Sequence, residues 1–331
     1  MPRPKTIDEQ KKIFRVGYVA LVGRPNVGKS ALINKMLGQK IAIISDKPQT
    51  TRISILGIHT TERGQIIFID NPGIHKPLHK LNKRMMNFVY SSLETADLIC
   101  LLIDATQKFG HGDEFVLETM KTVKAPIFLL INKVDIVKKE NILLIIDKYK
   151  DLLPFKEIIP ISALRGTNLD VLEKLIYDSL PAAEKLYSDE DISDQSERFL
   201  LAEIIREKVL NHVEKELPWV TAVYIEAIEK REPEGETEPD ESPHQEGEGA
   251  QIKPRRPVTY IKASIFVEKD NHRKIIIGRH GQLVKMIGTE ARREIEEILE
   301  SKVYLDLHIK VRERWRDSAD VLDLIEGQKE I

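Results

Sequence analysis

"YVALVGRPNVGKSALINKML", Tyr18 to Leu37, sets an apolar run directly before Gly23-Arg24-Pro25-Asn26-Val27-Gly28-Lys29-Ser30 and a helical pattern directly after it. Strand, glycine-rich turn and helix form the setting in which G-x-x-x-x-G-K-[ST] works as a phosphate loop. Glycines let backbone N–H groups wrap an anion, and the helix N-terminus adds partial positive charge. Lys29 can reach β and γ phosphate oxygens, and the Ser30 hydroxyl can ligate Mg²⁺.

From this stretch to about Leu180, short apolar runs alternate with helical patterns. "YVALV", "ISILGI", "QIIFID", "DLICLLID", "APIFLLIN" and "EIIPIS" read as strands. They are almost continuously apolar, as strands buried on both faces should be, and stretches such as "ALINKML", "KLNKRMMNFVYSSLETA" and "NLDVLEKLIYDSL" separate most of them. The order predicts a doubly wound α/β domain over residues 1–181, parallel except for one edge pair.

Three further segments sit at strand ends. Asp70-Asn71-Pro72-Gly73 ends the third strand, so Asp70 can hold Mg²⁺ and the Gly73 N–H can meet a γ-phosphate. Asn132-Lys133-Val134-Asp135 ends the fifth. Asp135 can accept hydrogen bonds from guanine N1–H and the 2-amino group, which adenine lacks, and discrimination built on such bonds reaches about 10⁴ or more. Lys133 would cover the base with its alkyl stem while Asn132 braces the loop. Ser162-Ala163-Leu164 follows the sixth strand, where the Ala163 N–H would meet guanine O6. Between the phosphate loop and Asp70 lies "KPQTTRIS", in which Thr51, beside Thr50, can complete the Mg²⁺ shell and sense the γ-phosphate. Lys29, Thr51 and Gly73 are the residues expected to carry catalysis.

Pro181 ends the last helix, and residues 182–192 read as a polar linker. A second domain, 193–331, follows as helix, strand, strand, helix, helix, strand. Between its first two strands lies an insertion at about 230–257, rich in Glu, Pro and Gly, read as disordered. The net charge of −2 hides an asymmetry: residues 226–250 carry ten acidic and two basic side chains, whereas 251–316 carry sixteen Lys or Arg against nine Asp or Glu. Within the basic part, "IIIGRHGQ" places Gly278 and Gly281 between a short helix and a longer one. In KH domains such a Gly-x-x-Gly loop brings the backbone close to about four nucleotides of single-stranded nucleic acid. Arg279, His280 and Lys285 would lie beside phosphates, and Ile275, Ile276 and Ile277 would pack inward or floor the base groove. The insertion would act as a spacer or as an electrostatic competitor for the basic face.

"MPRPKTIDEQKKIFRVG" lacks an apolar signal core, and the longest apolar runs fall short of a membrane span, so a cytoplasmic protein is expected. Cys100, the one cysteine, lies inside such a run and reads as a buried structural thiol. His75 and His79 have zinc-like spacing, but Pro77 breaks the helix that would need, so no zinc is assigned. "KVRERWRDSAD", with Trp315, reads as a solvated strand end rather than an RNA contact.

Taken in order, "GRPNVGKS", "QTTR", "DNPG", "NKVD" and "SAL" resemble the five signatures of the translation-factor-class GTPases. "PNVGKS" with "QTTR" is similar to the Era/MnmE branch, and "IIIGRHGQLVKMIGTEARREIE" resembles the KH segment of the Era family, a likeness running from about Phe14 to Trp315. The resemblance implies a P-loop GTPase domain followed by a smaller α+β type II KH domain, with GTP and Mg²⁺ as ligands. It implies binding near the 3′ end of 16S ribosomal RNA, a role in 30S subunit assembly and rRNA processing, and peripheral association with the cytoplasmic membrane face. No DNA partner is expected, and a monomer is. Asn71 departs from a threonine frequent in the family. Ile74 stands where Ras-like proteins place a water-orienting glutamine, so hydrolysis would need help, and in some relatives K⁺ held by the residue matching Asn26 provides it. The alternatives are a GTPase acting with a tRNA-modifying partner, and a KH-like domain used to dock on a protein or a membrane surface.

Overall fold

The computed structural model describes residues 13–47, 49–231 and 258–329. The chain divides into two compact units, Met1–Gln195 and Ser196–Ile331. The acidic insertion lies almost wholly outside the described residues, as does most of the N-terminal stretch read for a signal core. Among the described residues no helix is long and apolar enough to cross a membrane.

The first unit runs β1 (Arg15–Gly23), α1 (Lys29–Leu37), β2 (Ile55–Thr61), β3 (Gly64–Asp70), α2 (Lys80–Thr95), β4 (Leu98–Asp104), α3 (His111–Met120), β5 (Ile127–Asn132), α4 (Lys139–Tyr149), β6 (Phe155–Pro160) and α5 (Leu169–Ser179). Its six strands lie in the order β2-β3-β1-β4-β5-β6. All pairs are parallel except β2 with β3, the single edge exception that the sequence predicts. The inner strands are buried along nearly their whole length, because α2, α3 and α4 cover one face and α1 and α5 the other, where Leu32, Ile33, Leu172 and Ile176 are fully enclosed. Cys100 is among these enclosed side chains, and burial pushes its thiol pKa up.

Strand β1 has β3 on one side and β4 on the other, so successive connections leave it in opposite directions. The crevice opened at the carboxyl ends of such strands is where ligands enter doubly wound sheets. This topology gathers the ends of β1, β3, β4 and β5, which are the segments carrying the candidate residues.

The second unit runs α6 (Glu197–His212), α7 (Leu217–Val220), β7 (Ala222–Arg231), β8 (Val258–Val267), α8 (Asp270–Ile277), α9 (Gln282–Leu299), β9 (Lys302–Val311) and α10 (Ala319–Glu326). Its sheet has the order β7-β8-β9, with β7 antiparallel and β9 parallel to β8. Ile261, Ala263, Ile265 and Val267 alternate along β8 and meet Leu201, Ile205, Ile276, Ile287 and Ile295 from the helices. That alternation is what a sheet covered on one face requires. Trp315, read above as part of a solvated strand end, is instead enclosed, and its indole N–H donates to the Val220 carbonyl (2.8 Å).

Candidate functional site

Gly28 carries φ 101°, and a Cβ there would sit 2.2 Å from Asn132 Nδ2, so the turn into α1 accepts only glycine. Lys29 follows, is 6% exposed, and points its ammonium back across the loop towards the carbonyls of Arg24 (3.1 Å) and Gly23 (3.5 Å). Burial pulls its pKa down to about 8 against the opposing pull of Asp70. Phosphate oxygens entering the loop would reverse that pull and hold the ammonium charged. The Gly23 carbonyl also takes the Ile74 N–H (3.0 Å), tying the Asp70–Gly73 segment to the phosphate loop.

Asp70 is fully buried, and burial raises its pKa, partly offset by Lys29, Ser30 and Thr51. Ser30 Oγ donates to Asp70 Oδ2 (2.6 Å) and lies 2.9 Å from Thr51 Oγ1, which is 3.4 Å from the same carboxylate oxygen. Asp70 Oδ1 is buried and has no hydrogen-bond partner. A carboxylate with one orphan oxygen, beside two hydroxyls, is the oxygen-only donor set that suits Mg²⁺. The three residues named for the metal from the sequence therefore fit it.

Asn132, 2% exposed, braces two loops at once: its Nδ2 donates to the Val27 carbonyl (2.8 Å) and its Oδ1 accepts the Ala163 N–H (2.9 Å). The Ala163 N–H expected at guanine O6 is thus engaged by Asn132. Lys133 adopts φ 67° and pairs with Asp104 Oδ2 (2.7 Å). Burial alone would raise the Asp104 carboxyl, but hydrogen bonds from Lys133 and Thr106 outweigh it and hold it below its usual range. A cleft of about 440 Å³ runs between these groups, lined by Pro25, Asn26, Gly28, Lys29, Ser30, Thr51, Gly73 and Lys133 among the expected residues, and by Asp104 and Gln107 besides. Asp135 and Leu164 are exposed, and neither they nor Ser162 and Ala163 line that cleft.

Two residues near the site, Asp104 and Asp113, carried no signal in the sequence. Asp104 is one more polar residue at a strand end. Asp113 caps α3 through the Gly110 N–H (2.9 Å) and pairs with Arg24 (3.0 Å), anchoring the phosphate loop from behind. His75 Nδ1–H donates to the Gly73 carbonyl (2.6 Å) and its Nε2 accepts from Asn82 (2.9 Å). Asn71 is fully buried, donates to the Leu21 and Ile69 carbonyls and accepts from Ser54 (2.8 Å). Ile74 is enclosed in the core.

In the second unit Gly278 (φ 72°), His280 (φ 52°) and Gly281 (φ 75°) all have positive φ between α8 and α9. The two glycines differ. A Cβ on Gly278 would come within 2.6 Å of Leu283 Cβ, whereas one on Gly281 meets nothing within 4 Å. Arg279, His280 and Lys285 are exposed beside that open space. Ile276 is enclosed, while Ile275 and Ile277 are 47% and 36% exposed, so the apolar run splits between core and surface.

A family model described as "50S ribosome-binding GTPase" matches residues 18–133, and one described as "KH domain" matches residues 245–316. A crystal structure of Era in complex with MgGDPNP and nucleotides 1506–1542 of 16S ribosomal RNA is 40% identical to this chain, covering 94% of it and 98% of its own length, with a TM-score of 0.84. A variant of Aquifex aeolicus Era bound to GDP·AlF4⁻ is 40% identical over 94% of this chain and 99% of its own, with a TM-score of 0.82. With a guanine-type phosphate-loop cleft in one unit, a Gly-x-x-Gly loop between two helices in the other, and that likeness across nearly the whole length, the chain belongs to the Era family of GTPases.

Proposed function

We propose that this GTPase binds the 3′-end region of 16S ribosomal RNA through the Gly278–Gly281 loop, acts in assembly of the 30S subunit, and uses GTP and GDP to set when it does so. The observation that carries the reading is the open space over Gly281, edged by exposed Arg279, His280 and Lys285, in a chain whose other unit holds the GTP cleft. It is supported by the 40% identical Era whose crystal structure holds both MgGDPNP and a 16S rRNA fragment. At a positive-φ glycine with open space around it, a phosphate can come close to the backbone where a side chain would block it, and the cations add sequence-independent attraction.

In the nucleotide cleft, Lys29 supplies charge at the β and γ oxygens and the Gly73 N–H meets the γ-phosphate; beside it, Asn132 fixes the base loop and the exposed Asp135 selects guanine. Ser30, Thr51 and Asp70 would hold Mg²⁺, which supplies positive charge against the phosphates. Ile74 offers no hydrogen bond to an attacking water. Asn26 lines the cleft, with its amide held on the Asp46 carbonyl, so its side-chain oxygen is the donor we assign to K⁺. Equal hydrolysis rates in K⁺ and Na⁺ buffers would remove that assignment.

The test of the RNA reading is Gly281→Asp in the full chain. It fills the open space with a like charge and leaves the Leu283 contact alone, so affinity for a short 3′-terminal 16S rRNA oligonucleotide should fall about tenfold or more, with GTP hydrolysis retained. Unchanged RNA affinity would defeat the reading and favour docking on a protein or a membrane surface.

A further inference from the structure

After α5 the chain does not leave the first unit. Val16 N–H donates to the Pro181 carbonyl (3.1 Å), and the Leu186 and Tyr187 N–H groups both donate to Gln65 Oε1 (3.1 and 2.9 Å). The segment then runs antiparallel to β2: Ile58 N–H donates to the Ile192 carbonyl (2.9 Å), Ser193 bridges Gly57, and Leu56 N–H donates to Asp194 Oδ1 (2.9 Å). The next residue, Gln195, donates from Nε2 to the Ile41 carbonyl (2.8 Å). Ser196 follows at once and caps α6, accepting the Phe199 N–H (3.1 Å).

Ile41 and Leu56 bound the segment that carries Thr50 and Thr51. Two adjacent residues of the connector therefore hold both of its ends. The α1 side contributes one more anchor, since Asn34 Oδ1 accepts the Ile41 and Ala42 N–H groups (2.9 and 3.0 Å). Fixing the ends of a loop removes conformations it would otherwise sample. Here the retained geometry sets Thr51 against Ser30 and Asp70. Gln195 Oε1 is buried without a partner, and a native chain rarely keeps such an orphan acceptor without a reason outside packing.

We infer that Asp194 and Gln195 are positioning residues for GTP hydrolysis, stapling the base of the Thr51 segment and linking its state to the helix that begins at Ser196. The link to RNA rests on the reading proposed above; the effect on hydrolysis does not. A purely structural role, sealing the exposed edge of β2, would weaken every nucleotide complex alike. A positioning role acts only where Thr51 meets a γ-phosphate.

The experiment uses the full chain with Gln195→Met, which keeps the length and removes the donor. We expect kcat to fall about fivefold or more, and affinity for a non-hydrolysable GTP analogue to fall by a similar factor, while GDP affinity changes by less than about twofold. The ratio of RNA affinities between GTP-analogue and GDP forms should shrink towards one. Should Gln195→Met fold poorly, Asp194→Ala and Asp194→Asn decide: Asn keeps an oxygen for the Leu56 N–H and should retain hydrolysis, whereas Ala should lose it. Equal losses for GDP and the GTP analogue, unchanged hydrolysis, or equal behaviour of Ala and Asn at Asp194 would each overturn the inference. A wild-type chain that binds no RNA defeats the proposed function instead, and the nucleotide measurements then judge the staple alone.

Discussion

At Asn132 a single side chain joins two motifs that lie 31 residues apart, and a third segment through Val27. Asn132→Ala would leave the Val27 carbonyl and the Ala163 N–H without their partner in a buried site, at about 1–3 kcal/mol for each unsatisfied group. We expect the denaturation midpoint to fall accordingly, and guanine nucleotide affinity to fall further than stability predicts, because both walls of the base site lose their brace. Intact stability in the variant would mean that water replaces the amide. The sequence named part of the cleft lining, Pro25, Asn26, Gly28, Lys29, Ser30, Thr51, Gly73 and Lys133, because phosphate and guanine chemistry admit few residue types at fixed spacing. The roles of His75, Asp104 and Asp113 were not legible there, since they depend on which backbone groups and cations the fold brings to them.

Elements were legible wherever their periodicity was unambiguous. The six strands of the first unit and the αββααβ order of the second follow from apolar runs and their spacing. Helix α4 shows the limit. Its run "ILLII", Ile142 to Ile146, is continuously apolar and fits a buried strand as well as a helix, yet it forms a surface helix with Leu143 and Leu144 two-thirds exposed. The bulge in β7 was likewise invisible. There Ile225 pairs with Ala263 and Ala227 with Lys262, leaving Glu226 as the extra residue. It accepts hydrogen bonds from Ser264 and Lys310, with Lys262 at 3.5 Å. The hydrogen bonds from Lys310 and Ser264 hold its carboxyl at about 2, below an ordinary value near 4.5. A depressed carboxyl pKa contributes stability that is present above the unfolded value and lost as pH falls through the folded one. Glu226→Gln should therefore lower the unfolding midpoint of the second unit at neutral pH, and the difference from wild type should close between about pH 4.5 and 2. The chain's two tryptophans, Trp219 and Trp315, both lie in that unit, so their fluorescence reads its unfolding. A difference that stays constant across this range would show that Glu226 acts through packing rather than charge.

For the molecule as a whole, the boundary between units falls at Gln195, and the 182–192 segment read as a linker is hydrogen-bonded along the first unit. Polar as its composition is, its backbone groups satisfy β2 and the start of β1. By itself the sequence determined the two modules and the strand order, and it singled out the candidate residues for phosphate, guanine and an RNA backbone, because each chemistry demands particular side chains at particular spacings. Only the tertiary structure decided that Gly278 is needed for packing while Gly281 opens to solvent, that Trp315 is core, and that Asp194 and Gln195 close the base of the Thr51 segment. Those facts depend on groups far apart in the chain meeting within a few ångströms. Composition and periodicity report how a segment tends to fold and what it tends to bury, but not which distant atom it will touch.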